Sequence, residues 1–272
     1  MLKRALNHMA APKLSWVEFL DLAKGLNCIG VEFRNDLPGD LFDGASPSVV
    51  SAAAKEADLR ILALAEIKAF NDWSDAKSLE ATALMPIAKA CGAEKVSLIA
   101  RNDNKSMSAN ERKANLETAL RELKPLLEQH DLVGLIEPLG FETCALRDKA
   151  EAVEAIEAIG ARDRFCIVHD TFHHCAAGGG AIFPEHTGIV HISGVVKSNL
   201  NATDLRDDYR VLIDAHDVLG NVDQLESLLN AGYKGPVSFE PFSPEVLGLT
   251  DAGEALAKSF SYIEECMQEQ SA

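Results

Sequence analysis

The chain is predicted to be an α/β protein folding as a single (β/α)8 barrel over residues 1–272. Three observations lead there. Short apolar runs rich in β-branched residues alternate with amphipathic helical stretches, the alternation recurs eight times, and no linker or low-complexity segment interrupts it. A doubly wound open sheet is the competing architecture, but the glycine fingerprint that should follow its first strand is missing.

In chain order, the first strand starts at Lys3 and runs to His8, and Ser15 caps a helix through Leu26. The second strand spans Cys28 to Arg34, and a helix opens at Ser46 with Pro47 in its first turn. The third strand spans Arg60 to Lys68, and its helix runs from Asp75 to Cys91, where Gly92 stops it. The fourth strand is Lys95 to Ala100, followed by a long helix from Ala109 to Gln129 that Pro125 should distort. The fifth strand is Val133 to Leu139, with a helix from Arg147 to Ile159. The sixth opens at Phe165, and the glycine-rich stretch from Ala176 to Gly188 predicts only a short or irregular helix. The seventh strand spans Ile189 to Gly194, and a long polar insertion reaches to about Gly220. A helix at Asn221 to Asn230, a strand at Gly235 to Phe242 and a terminal helix from near Thr250 complete the set.

Composition narrows the function. Apolar residues make up 47% of the chain, enough for a substantial core. A formal net charge of -16 argues against a nucleic-acid or anionic-membrane partner, both of which need a basic surface, and favours a small neutral or metal-chelated molecule. Six cysteines without CxxC spacing read as reduced thiols, and no apolar run has the length of a signal peptide or membrane span, so a cytoplasmic location is expected.

Strand periodicity then locates a site. In the stretch Phe165 to His174, an apolar run ends in Asp170 and several imidazoles; with Asp170 pointing inward, Val168 and Cys166 also face the barrel interior, and His169 faces the helices. The same counting turns Glu137, His191 and Glu240 inward near the C-terminal ends of strands five, seven and eight, the rim where barrel enzymes keep their active sites. A lone inward glutamate is ordinarily a salt-bridged core residue, and a lone strand histidine a structural one. Four at equivalent depth on consecutive strands, three of them carboxylates, call instead for a neutralising cation. One divalent metal is therefore expected at Glu137, Asp170, His191 and Glu240; this hard ligand set favours Mn, Mg or Co, and zinc also fits it. His169, His130, His174 and His186 take the plain structural reading.

The segments Glu137-Pro138, Asp170-Thr171-Phe172-His173, Val190-His191-Ile192 and Phe239-Glu240-Pro241-Phe242 resemble the xylose-isomerase-like sugar phosphate isomerase and epimerase superfamily. With Leu6-Asn7-His8, Val31 to Arg34 and Ala69 to Asp72, the likeness extends to the 2-keto-myo-inositol isomerases (inosose isomerases) of inositol catabolism and covers essentially the whole chain. The resemblance implies the same four metal ligands. It also implies that Glu137 and Glu240 act as acid and base on opposite sides of a substrate, and that His173 and Arg210 contact its oxygens. The implied reaction moves carbonyl and hydroxyl between adjacent ring carbons of a keto-inositol by proton transfer, through an enediolate that the metal stabilises, with no organic cofactor.

Glu32, Arg34 and Lys68 share the inward parity of their strands and are candidate substrate contacts, with a buried rim ion pair involving Glu66 as the other reading; Asn7 or His8 should close the pocket at strand one. Trp73 is expected to cover the mouth or a sugar ring, and Lys197 to be solvated. Two departures from the family pattern bear on substrate choice: Val211 to Asp217 replaces the usual glycine and proline turn after Arg210, and Ser193-Gly194-Val195 follows His191 where acidic residues are common. Ketose 3-epimerisation and inosose dehydration are alternatives for the same site. An apurinic endonuclease of the same superfamily would need several more histidines and a basic groove, and a non-enzymatic binding barrel would show no turnover. Barrels of this kind often associate, so a homo-oligomer is a further expectation.

Overall fold

A computed structural model of the protein describes residues 2–270. Eight parallel strands close on themselves in sequence order: β1 (Arg4–Asn7), β2 (Gly30–Arg34), β3 (Arg60–Lys68), β4 (Lys95–Ile99), β5 (Val133–Glu137), β6 (Phe165–Asp170), β7 (Thr187–Ile192) and β8 (Val237–Phe239). Closure is made by β8 against β1, where Arg4, Ala5 and Leu6 pair with Val237, Ser238 and Phe239. The helices are α1 (Trp16–Gly25), α2 (Pro47–Glu56), α3 (Asp75–Cys91), α4 (Ala109–His130), α5 (Lys149–Ala158), α6 (Thr171–Ala176), α7 (Asn221–Asn230), α8 (Pro244–Leu247) and α9 (Ala252–Gln270). The fold is the expected (β/α)8 barrel.

Local chemistry explains the boundaries. Ser15 with Glu18, and Ser108 with Glu111, form reciprocal capping boxes at the starts of α1 and α4, each satisfying otherwise orphaned backbone donors. Gly92 ends α3 in the left-handed conformation at φ 81°. Alternation along the strands sorts the core in two: Ala5, Leu62, Ala63, Leu135, Val168 and Ile189 fill the barrel interior with Cys166, whereas Ile67, Leu98, Ile136, Ile167 and Phe239 pack against the helices.

Several boundaries differ from the sequence reading, and those of β5, β8 and α6 shape the rim. β5 stops at Glu137, before Pro138, and β8 is confined between Pro236 and Pro241, residues without an N–H to give a ladder. Glu240 still donates its N–H to the Ile192 carbonyl at 3.0 Å, so it stays in register with β7. The short helix after β6 falls on Thr171–Ala176, earlier than expected, because the Asp170 side chain accepts the His173 N–H and caps it. The long segment after β7 folds back on the mouth, tied by reciprocal backbone bonds of Gly194 with Val211 at 2.7 and 2.8 Å. Among the described residues, no helix is long and apolar enough to cross a membrane.

Candidate metal centre

Four adjacent strands converge on one point. Glu137 ends β5, Asp170 ends β6, His191 lies one residue from the end of β7, and Glu240 follows β8 directly. One potential ligand atom from each lies within 4.8 Å of all the others, and all four residues are buried. In register terms Asp170 faces His191, and His191 faces Ser238.

The atoms facing the centre of this group suit a cation. His191 Nδ1 lies 3.1 Å from Glu240 Oε2 and 3.4 Å from Glu137 Oε1, yet neither it nor Glu137 Oε1 makes a hydrogen bond. A buried imidazole nitrogen and a buried carboxylate oxygen left orphaned side by side would each be costly to bury, and a shared divalent ion would satisfy both. With three carboxylate donors and one imidazole converging, the residues present fit the group.

Charge in the site is unevenly distributed. Burial and the neighbouring Glu240 carboxylate push Glu137 up to about 7. Burial works upward on Glu240 as well, but His191, Arg210 and Arg34 outweigh it and hold that carboxyl well below the usual range. Arg210 and His173 do the same for Asp170 against the burial effect. For His191, burial favours the neutral ring, and the carboxylates of Glu240 and Glu32 overcome it, raising the group well above 6.5.

Arg210, expected to contact substrate, bonds the carboxylates of the cluster in the structure. Its guanidinium is 1% exposed; Nη2 donates to Asp170 Oδ2 at 2.6 Å and to Glu240 Oε2 at 3.1 Å, and Nε donates to Ser193 Oγ at 3.0 Å. Phe172 and Phe242 flank it, at 5.0 and 4.6 Å from the ring centroids. The two departures from the family pattern meet here: Ser193 binds Arg210, and the Gly194 to Val211 bridge sets its backbone.

The other residues expected near the substrate also have partners within the protein. Glu32 is fully buried and faces away from the mouth, its carboxylate bonded to His191 Nε2 at 3.1 Å and to Ser238 Oγ at 2.6 Å. Arg34 resolves in favour of the ion pair: it donates to Glu240 Oε1 at 2.8 Å and forks onto Asp36, with Glu66 at 3.4 Å. Lys68 lies outside the pocket, its side chain 62% exposed and paired with Glu66 and Asp36. At strand one the pocket residue is Asn7, whose Nδ2 donates to Glu240 Oε1 at 3.1 Å. The Asn7 side chain also caps the turn that follows, and this turns His8 outward to bond the Leu14 carbonyl and stack on Phe19 at 4.1 Å. Burial there lowers His8 to about 4.

His173, on α6, is buried with an unpartnered Nδ1 among Phe141 and Phe172. His169 faces the helices and bonds Gln224, while His174 contacts Lys149, a buried amine that burial lowers to about 8. Trp73 is partly buried and packs against the hydrophobic core. Sequence reasoning missed Ser238 and Lys149. For Ser238 the signal was available, since it shares the inward parity of Glu240.

Comparison with known proteins places this geometry. Residues 20–266 match the family described as the xylose isomerase-like TIM barrel. The chain belongs to that family. An inosose isomerase of Halalkalibacterium halodurans is 29% identical over 209 residues, 73% of this chain and 72% of that protein. A xylose isomerase domain-containing protein from Salmonella typhimurium LT2 superposes with a TM-score of 0.89 at 28% identity, covering 98% of this chain and 97% of that one. The IolI protein, whose crystal structure holds a zinc atom, gives a TM-score of 0.87 at 21% identity over 96% and 98% of the two chains, a likeness of fold.

Proposed function

We propose that the protein is a divalent-metal-dependent isomerase that interconverts a keto-inositol, 2-keto-myo-inositol first among candidates, by proton transfer between adjacent ring carbons. The observation carrying this reading is the buried convergence of Glu137, Asp170, His191 and Glu240 within 4.8 Å. The resemblance to an inosose isomerase over most of both chains supports the substrate class.

These four residues would hold the ion, and when bound it would polarise a ketone oxygen and stabilise the negative charge that develops beside it. The rest of the chemistry belongs to the chain. Glu240, kept ionised by His191, Arg210 and Arg34, has no proton of its own to give and can act only as the acceptor of the carbon-bound one. Glu137, the other glutamate of the cluster, is the second group placed to move a proton at the substrate. His173 offers its unpartnered imidazole to a substrate hydroxyl, and Phe141, Phe172 and Phe242 screen the site from water.

The mouth favours an uncharged substrate. Arg34 and Arg210 each already bond carboxylates, so neither offers an uncompensated charge to a phosphate. A soluble cytoplasmic enzyme of polyol metabolism accords with the acidic composition.

Manganese-loaded protein incubated with inososes and ketohexoses in deuterium oxide tests the proposal. The expected result is conversion of an inosose with deuterium entering at the carbon beside the ketone, and loss of that conversion in Glu137→Gln and Glu240→Gln. Conversion of ketohexoses alone would move the assignment to a 3-epimerase, and loss of water from the inosose to a dehydratase. Protein that takes up no divalent metal, or metal uptake unaffected by Asp170→Asn, would refute the metal-dependent reading.

A further inference from the structure

We infer that Glu32 is a positioning residue of the metal centre: with Ser238 it holds the His191 ring so that Nε2 carries the proton and Nδ1 presents its lone pair to the ligand cluster. This rests on the metal-dependent reading above and assigns the tuning of that metal to a residue outside the ligand set.

The geometry is specific. Glu32 comes from β2, three strands from His191 around the barrel wall, so its carboxylate reaches across the interior to the imidazole. It is fully buried, and both its oxygens are engaged: Oε1 accepts from Ser238 Oγ at 2.6 Å, and Oε2 lies 3.1 Å from His191 Nε2. Ser238 is the register neighbour of His191 on β8, so the hydroxyl and imidazole that share this carboxylate are fixed side by side by the strand ladder.

An ionised carboxylate can only accept, so its contact with Nε2 requires a proton on that nitrogen. The ring's other nitrogen, Nδ1, is the orphaned atom between Glu137 and Glu240. The opposite tautomer would leave Nε2 and Oε2 as two acceptors 3.1 Å apart in the barrel interior and would put a proton where the ion belongs. Carboxylate partners behind ligating histidines generally raise metal affinity by fixing ring orientation and increasing basicity, and their loss costs about 10–100-fold.

The test uses Glu32→Gln, which keeps size and hydrogen bonding but removes the charge, and Ser238→Ala, which frees one oxygen. Zinc and manganese affinities are measured by competition with a chelator, and imidazole-nitrogen NMR of zinc-loaded, histidine-labelled protein reports which His191 nitrogen carries the proton. We expect about 10–100-fold weaker binding in Glu32→Gln, a smaller loss in Ser238→Ala, and a wild-type His191 protonated at Nε2 whose N–H exchanges faster with water in both variants. Affinity within about twofold of wild type in Glu32→Gln, or a wild-type proton on Nδ1, overturns the inference; were Glu32→Gln to misfold, the wild-type spectrum and Ser238→Ala still decide it. Wild-type protein that binds neither metal defeats the metal-dependent reading, and this inference falls with it.

Discussion

Arg210→Met separates the two roles that cationic charge plays in this site. The side chain is 1% exposed, lies between Phe172 and Phe242, and bonds Asp170 and Glu240, two of the four ligands. Methionine keeps much of the packing against the two rings but removes the guanidinium that bridges those carboxylates. Breaking one side of a buried ion pair costs about 3–5 kcal/mol, because the partner charge stays buried and unpaired. At roughly 2 °C per kcal/mol for a chain of this length, the variant should melt about 6–10 °C below wild type in the presence of a chelator. Saturating manganese should stabilise both proteins, by about 4 kcal/mol at a thousandfold excess over Kd. Because coordination supplies the missing positive charge to Asp170 and Glu240, the gap should then shrink to the packing difference, about 1 kcal/mol or less. By linkage, manganese should bind the variant more tightly than wild type. Thermal unfolding followed by circular dichroism, with chelator and with manganese, measures all three quantities. An equal melting gap in both conditions, or no gap with chelator, would refute the reasoning.

Further outcomes follow from the same geometry. Glu137, at about 7, and His191, raised well above 6.5, must both lose protons before they can ligate, whereas Asp170 and Glu240 are held ionised. Manganese affinity should therefore fall with decreasing pH from above neutrality, by up to about a hundredfold per unit where two protons are displaced, and titration calorimetry in buffers of different ionisation enthalpy should show proton release. His173→Gln should leave metal affinity near wild type and lower kcat/KM for the inosose about 10–100-fold, the worth of one hydrogen bond to a charged transition state; an unchanged value would remove His173 from the pocket. At Gly140 a Cβ would collide with the His173 carbonyl oxygen and come within 2.6 Å of the Ala177 nitrogen. Gly140→Ala should push α6 outward, destabilise by about 1–3 kcal/mol in denaturant titration and lower turnover more than metal affinity.

Much of this protein could be read from its residues alone. Strand periodicity is local: once Asp170 points inward, the two-residue repeat fixes the facing of Val168, Cys166 and His169 without knowledge of the fold. Counting that repeat on each late strand brought Glu137, Asp170, His191 and Glu240 to one rim, and the structure brings those four side chains together. Helix starts were legible for the same reason, since the capping boxes at Ser15 and Ser108 are completed within three residues.

What parity could not decide was the partner of each inward side chain, because partners are set by barrel shear and by side-chain reach across the interior. Glu32 and Glu137 read alike as inward glutamates near strand ends, yet one sits behind the His191 ring and the other in front of it. Asn7 and His8 have opposite parity, and only the closed barrel shows their partners, Glu240 for the first and Phe19 for the second. Arg210 lies forty residues from Asp170, and only the return of the segment after β7, anchored at Gly194 and Val211, carries its guanidinium onto the carboxylates. The sequence by itself determined which strands bring Glu137, Asp170, His191 and Glu240 to the rim, because that depends on a short-range repeat. Tertiary structure alone decided how those ligands are charged, oriented and supported, because burial and ion pairing depend on residues that meet only when the barrel closes.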